Sequence, residues 1–359
     1  MKGAGSVGQG FSPDRIPYIS QPESTGALAP EVCLSPVEPG NRPFPAASLE
    51  DQSASPADST ELTEDLVEPV PEQPEHSTLF QSFTQPEIHP PARIPHLGHL
   101  CILAVLAFSG LLGASLLTRS ALYFHLFGIS TVKQALTDIH YTLGSMAALY
   151  LLTLLFSLLV FPLFWHKTFF AGVQWRGATA LRLRGGLFSA AFVCFVLAMI
   201  DGFLLPGPDD TPIDKIIRAP GAPWLLFAFG VTLAPFFEEI LFRGFLLPAL
   251  STAADWLAEQ ASGQPAPPLD ANGHPQWSIP AMVVASVFTS IPFALVHADQ
   301  TGHALGPFLL LVCVSLVLCW TRLVARSLAA SVLVHACYNF MLFSLMLFGT
   351  DGFKHLEKM

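Results

Sequence analysis

The chain has 359 residues, 52% hydrophobic and only 12% charged, with a formal net charge of −10 and a mean hydropathy of +0.51. Soluble domains carry about 25% charged residues, so this composition excludes an ordinary soluble domain and points to several crossings of a lipid bilayer. Residues 1–95 hold fourteen Asp/Glu against four Lys/Arg, which accounts for the whole net charge, and no basic footprint is left for a nucleic-acid partner.

In chain order, residues 1–95 come first and are rich in Pro, Ser, Glu and Gln, with runs such as Pro-Val-Glu-Pro. So little apolar surface does not offset the entropy of ordering, and an unstructured acidic tail is expected. No apolar run follows Met1-Lys2-Gly3-Ala4-Gly5, so the first membrane helix is expected to signal insertion. Seven apolar segments follow, near 97–118, 141–164, 187–206, 222–250, 279–298, 305–324 and 327–348. Each approaches or exceeds the ~20 residues that cross the hydrocarbon core, and only helices satisfy their own backbone there. The expected fold is an all-α polytopic transmembrane bundle of about seven spans over residues 96–350, with 351–359 as a short tail.

Residues 122–136 contain His125 and Lys133 and read as an interfacial helix or an eighth span. The stretch 251–278, with Gln264-Pro265-Ala266-Pro267-Pro268, reads as an exposed polar loop. The six cysteines include no CxxC pair, and the five in apolar runs read as small buried hydrophobes. Lys167, Arg176, Arg182 and Arg184 follow the second span, and Arg322 and Arg326 lie in the loop after the sixth. The excess of Lys and Arg in these loops puts them, and the N-terminal tail, on the cytoplasmic side. The membrane is then the plasma (inner) membrane of a bacterium or the membrane of an organelle.

The fourth segment breaks its own apolar pattern with Glu238, Glu239 and Arg243. An ionised side chain at bilayer depth costs at least ~2.5 kcal/mol, so these groups need partners or a task. Glu239 and Arg243 are four residues apart and share a helix face. Glu238 is turned about 100° away and has no partner in its own helix. Downstream, Phe293 and His297 have the same spacing, as do His335 and Asn339. In a dry cavity a carboxylate beside an imidazole can act as a general base toward water. A second imidazole and an amide suit the developing oxyanion. Peptide hydrolysis fits such a set, and so does other hydrolysis.

Glu-Glu-x-x-x-Arg at 238–243, Phe-x-x-x-His at 293–297 and His-x-x-x-Asn at 335–339 resemble the three ordered motifs of the CPBP family. This family contains CAAX prenyl endopeptidases and bacteriocin-processing proteins and is also called Abi. The likeness covers residues 222–348; the earlier spans match only as generic membrane helices. It implies an intramembrane endopeptidase with a peptide or protein substrate, membrane-associated or lipid-modified. Glu238 would activate the water with help from His297, His335 and Asn339 would hold the oxyanion, and Glu239, Arg243 and Phe293 would support the site. A mechanism without cofactor is expected.

Zinc on Glu238, His297 and His335 is the alternative, because two His and one Glu form a known catalytic set; no His-Glu-x-x-His is present. Two other functions compete. One is a non-catalytic binding or immunity-type scaffold using the same cavity. The other is a proton-linked transporter, which the lack of visible repeats and of Gly-broken half-helices disfavours. Pro235 and Pro292 are expected to kink their helices, and either kink would open a path for water. At 1.5 Å per residue, spans with flush ends would place Glu238, His297 and His335 at different depths.

Overall fold

The computed structural model describes residues 93–205, 211–219, 221–270 and 273–355. The acidic tail expected at 1–95 lies outside them, apart from its last three residues. Seven helices are long and apolar enough to cross a membrane: Leu97–Tyr123, Ile139–Trp165, Arg184–Leu204, Ala222–Ser262, Ile279–Val296, Leu305–Ala325 and Leu328–Gly349. They are taken below as the first to seventh spans, and the described residues form an all-helical integral membrane bundle. Large side chains such as Phe108, Leu116, Leu163, Phe203 and Phe348 are exposed on its outside, as a hydrocarbon solvent requires.

The first and second spans pack on each other along their length. Gly110 allows this, because a Cβ there would lie 2.6 Å from the Thr153 hydroxyl oxygen and 3.2 Å from the Leu149 carbonyl oxygen. Close backbone approach is a usual basis of association between membrane helices. The third span presents Leu187, Ala191, Cys194 and Ala198 to Val314, Leu318, Val334 and Tyr338 of the sixth and seventh. That spacing is one helical face, and its small residues draw the three helices together. The fifth span packs between the sixth and the C-terminal part of the fourth.

Two expectations for connecting segments need correction. Residues 122–136 form no eighth span: the first helix runs to Tyr123 and only short turns follow, Leu126–Gly128 and Val132–Ala135. Residues 251–262 are not loop; they continue the fourth span as helix to Ser262. The helix persists there because its amphipathic face buries Ser251 and Asp255. Asp255 accepts hydrogen bonds from the Ser278 hydroxyl at 2.6 Å and its N–H at 3.2 Å, and it pairs with Arg93 at 3.3 Å. Ser278 in turn caps the fifth span through Ala281 N–H. Arg93 also donates to the Pro267 carbonyl.

Loop contacts confirm that the spans alternate. The Leu328 N–H donates to the Gln174 carbonyl, and the Ser327 hydroxyl donates to the Arg176 carbonyl. The cationic connection after the second span therefore shares an end with the turn after the sixth. At the other end, the Ile213 N–H reaches the Gln300 carbonyl at 3.4 Å.

Replacing Asp255 with Ala removes the acceptor that ties the fourth span to the start of the fifth. Partners left unsatisfied cost about 1–3 kcal/mol. The variant should unfold at lower temperature and be cut faster by a soluble protease within residues 263–277; limited proteolysis in detergent checks this.

Candidate active site

The fourth span is not one continuous helix. It runs as Ala222–Val231, then Leu233–Glu239, then a π-helical segment Ile240–Leu246, then Leu247–Ser262. The break falls at Thr232, whose φ of −117° and ψ of −75° leave the helical values. Pro235 explains it. Proline has no N–H for the Val231 carbonyl, and its ring crowds that carbonyl. Beside it, the Asn339 amide donates to the Gly230 carbonyl at 2.7 Å. Gly230 permits the approach, since a Cβ there would come within 2.8 Å of the Phe343 ring. Pro292, by contrast, sits inside a helix assigned without interruption.

The wider π turn carries Arg243 just beyond the two glutamates. π-bulges are rare and occur often at functional sites. Glu239 and Arg243 are both fully buried and lie 2.9 Å apart. Arg243 also donates to the Ser315 carbonyl and hydroxyl oxygens, at 3.0 and 2.6 Å. Its guanidinium lies 4.5 Å from the centre of the Phe293 ring, an arrangement that favours a cation. Arg322 Nε donates to the Arg243 carbonyl at 3.3 Å. Glu239 Oε2 and Arg243 Nε are buried with no hydrogen-bond partner among the described residues.

Glu238 is turned away from this pair, as the helical offset requires. Its Oε2 lies 3.7 Å from His297 Nε2 and 3.8 Å from His335 Nε2. Both rings are held from behind. His297 Nδ1 lies 2.8 Å from the Phe293 carbonyl oxygen, which can only accept, so Nδ1 carries the proton and donates. In the neutral ring Nε2 then presents a lone pair toward Glu238. His335 Nδ1 donates to Glu239 Oε1 at 3.0 Å. Phe293 is buried between the rings, 4.9 Å from His297 and 5.9 Å from His335.

The structure thus brings together Glu238, Glu239, Arg243, Phe293, His297 and His335. Asn339 lies one turn beyond His335, with its amide on the Gly230 carbonyl. The depth mismatch expected from flush helices disappears because the helix ends are staggered. The fifth span ends at Val296, and His297 is its cap residue. The seventh begins deep in the protein, where Ser327 and Leu328 are fully buried under the segment that follows the second span.

Sequence reasoning missed three participants. Arg322 is not in a loop; it belongs to the sixth span and is 2% exposed. Ser315 lies seven residues before it, on the same face, and receives Arg243; a buried guanidinium with donors left over after its one local acid was the signal for such a partner. Tyr150 of the second span stacks on Phe237 at 4.7 Å. It lines, with Glu238, Leu103, Leu149, Phe237 and Leu241, a mainly apolar cavity of ≈ 180 Å³. Among the described residues, no group of three or more His, Cys, Asp or Glu is arranged to hold a metal ion.

Residues 220–341 match the family model described as type II CAAX prenyl endopeptidase, Rce1-like. This is the CPBP family that the motifs resemble, and the matched stretch contains all three motifs, from Glu238 to Asn339. The first three spans lie outside it. No curated protein and no solved structure matches the chain.

Breaking the buried ion pair should be far worse than replacing it. Arg243→Met leaves Glu239 without its counter-ion and should cost about 3–5 kcal/mol, whereas the double variant Glu239→Gln/Arg243→Met should recover much of that. Unfolding of the single and double variants in detergent measures the coupling.

Proposed function

We propose that the protein is a membrane-embedded endopeptidase of the CAAX type, in which Glu238 activates water to cleave a peptide bond. The observation that carries this reading is the convergence of two imidazole Nε2 atoms on one carboxylate oxygen, each ring fixed through its Nδ1. A water seated among the three groups donates one hydrogen to Glu238 and the other to His297 Nε2. Its oxygen is then free to attack the carbonyl carbon as Glu238 takes the proton.

The tetrahedral oxyanion needs donors. His335 is suited to this when its Nε2 carries a proton, because Glu239 holds its Nδ1–H and so fixes the ring. An orienting carboxylate behind histidine acts in the same way elsewhere. Asn339 has a second amide hydrogen beyond the one given to Gly230. Collapse of the intermediate breaks the C–N bond, and Glu238 returns its proton to the leaving amine. The products are a carboxylate and an amine.

Glu239, Arg243 and Phe293 position these groups and do not touch substrate. Glu238, His297 and His335 are, by residue type though not by their arrangement here, the donors of a catalytic zinc set. The carboxylate reading needs no metal, and chelation separates the two. The apolar cavity beside Glu238 suits a substrate whose residue near the cleaved bond carries an apolar or lipid group. The Lys and Arg distribution assigns the cationic loops and the N-terminal tail to the cytoplasmic side, in a bacterial inner membrane or an organelle membrane.

Glu238→Gln keeps the side-chain volume and removes the base. With purified protein and a membrane-associated peptide substrate, it should lower kcat about 10²–10⁴-fold without changing the unfolding temperature. His297→Ala should slow cleavage in the same direction. Undiminished cleavage in Glu238→Gln would discard the assignment and favour a binding role for the cavity. A strong zinc chelator should leave the wild-type rate unchanged; loss of activity that added zinc restores would select the metal mechanism.

A further inference from the structure

At the end of the bundle that carries the cationic loops, four basic side chains from three segments border one cavity of ≈ 160 Å³. Arg176 comes from the connection after the second span, His274 from the stretch before the fifth, and Arg322 and Arg326 from the end of the sixth. Gln174 and Gln276 complete the polar lining. The cavity is well above the ~10–15 Å³ at which a void admits one water.

The charges here do not balance. Asp270 lies 3.5 Å from Arg326 and accepts the His274 backbone N–H at 2.9 Å. Arg322 is 2% exposed. Its hydrogen bonds go to the carbonyl oxygens of Arg243 and Val173, at 3.3 and 3.4 Å, and among the described residues no carboxylate pairs with it. Arg243 is as deeply buried but has Glu239. A buried guanidinium without a counter-ion is costly, and Arg176 nearby adds to the cost. The field is felt by His274: burial first, and then the Arg176 cation, hold its pKa below the ordinary histidine value.

We propose that this cavity is a phosphate-binding site, with Arg322 at its floor and Arg176 and Arg326 at its rim. Guanidinium groups arriving from different segments suit a tetrahedral oxyanion, which accepts forked hydrogen bonds on several faces. The phosphate belongs to an anionic phospholipid headgroup or to free inorganic phosphate. The position favours the lipid, since basic pockets between membrane helices on the cytoplasmic side bind such headgroups. Because Arg322 Nε donates to the Arg243 carbonyl, a bound anion also fixes the segment that carries the Glu239–Arg243 pair. The site does not depend on the peptidase reading.

Thermal unfolding of the purified full-length protein in neutral detergent tests it. One arm titrates inorganic phosphate against sodium chloride at matched ionic strength. The other adds phosphatidylglycerol or phosphatidylcholine to the micelles. Stabilisation by phosphatidylglycerol alone identifies a lipid site, and stabilisation by phosphate as well identifies a free-anion site. Arg176→Gln, at a half-buried rim position, should weaken the apparent affinity about tenfold, the loss expected for one charge-assisted contact. Arg184→Gln, on the same end but outside the cavity, should leave it unchanged. The proposal is overturned if neither phosphate nor phosphatidylglycerol stabilises beyond its control, or if the two variants weaken binding equally.

Discussion

Two side chains inside the bundle, Glu239 and Arg243, are withdrawn completely from solvent and lie 2.9 Å apart. Each charge is tolerable at that depth only because the other is present. Their remaining contacts link four spans. Arg243 reaches Ser315 of the sixth, Glu239 reaches His335 of the seventh, and Phe293 of the fifth lies against the guanidinium. Moving either charge would unseat His335 and Phe293, and with them the two imidazoles that face Glu238. The pair therefore acts as the fixed point from which the site is measured.

The fourth span is shaped to present that fixed point. Pro235 breaks the helix at Thr232, and the π turn beginning at Ile240 brings Arg243 around behind the glutamates. An uninterrupted helix of this length would present its carbonyls only to itself. Next to the break the Gly230 carbonyl accepts from Asn339, which joins the seventh span to the fourth across the bundle. Irregular backbone at membrane depth is tolerated where protein surrounds it, and the buried Pro235, Phe237 and Ile240 show that protein does so here.

Buried arginines set up two different situations in one bundle. Arg243 is neutralised by a carboxylate one turn away. Arg322, seven residues beyond Ser315, donates among the described residues to carbonyl oxygens and pairs with no carboxylate there, and it borders a cavity with further cations. The first is a charge pair between side chains four residues apart, and the second is the basis of the proposed phosphate site. A single hydrogen bond, from Arg322 Nε to the Arg243 carbonyl, connects them.

Composition and periodicity alone determined the all-α membrane fold, the seven spans and the identity of the charged cluster in the fourth. They did so because lipid imposes rules that a sequence cannot hide: long apolar runs, helices only, and few charges. The likeness to the CPBP motifs picked out His297, His335 and Asn339 by residue type and order. The i,i+4 link between Glu239 and Arg243 was legible because helix geometry fixes it locally. Residues 251–262 were misread because their Ser, Thr and Asp look like loop, while their burial against the fifth span is a tertiary fact. The convergence of Glu238 with both imidazoles was likewise invisible. It depends on a fifth span that ends at Val296 and a seventh that starts beneath the 169–177 segment, and such vertical offsets arise from packing between helices. Ser315 and Arg322 were assigned for the same reason only by the tertiary structure: a chain's sequence states which groups need partners, and the packed bundle decides which ones they get.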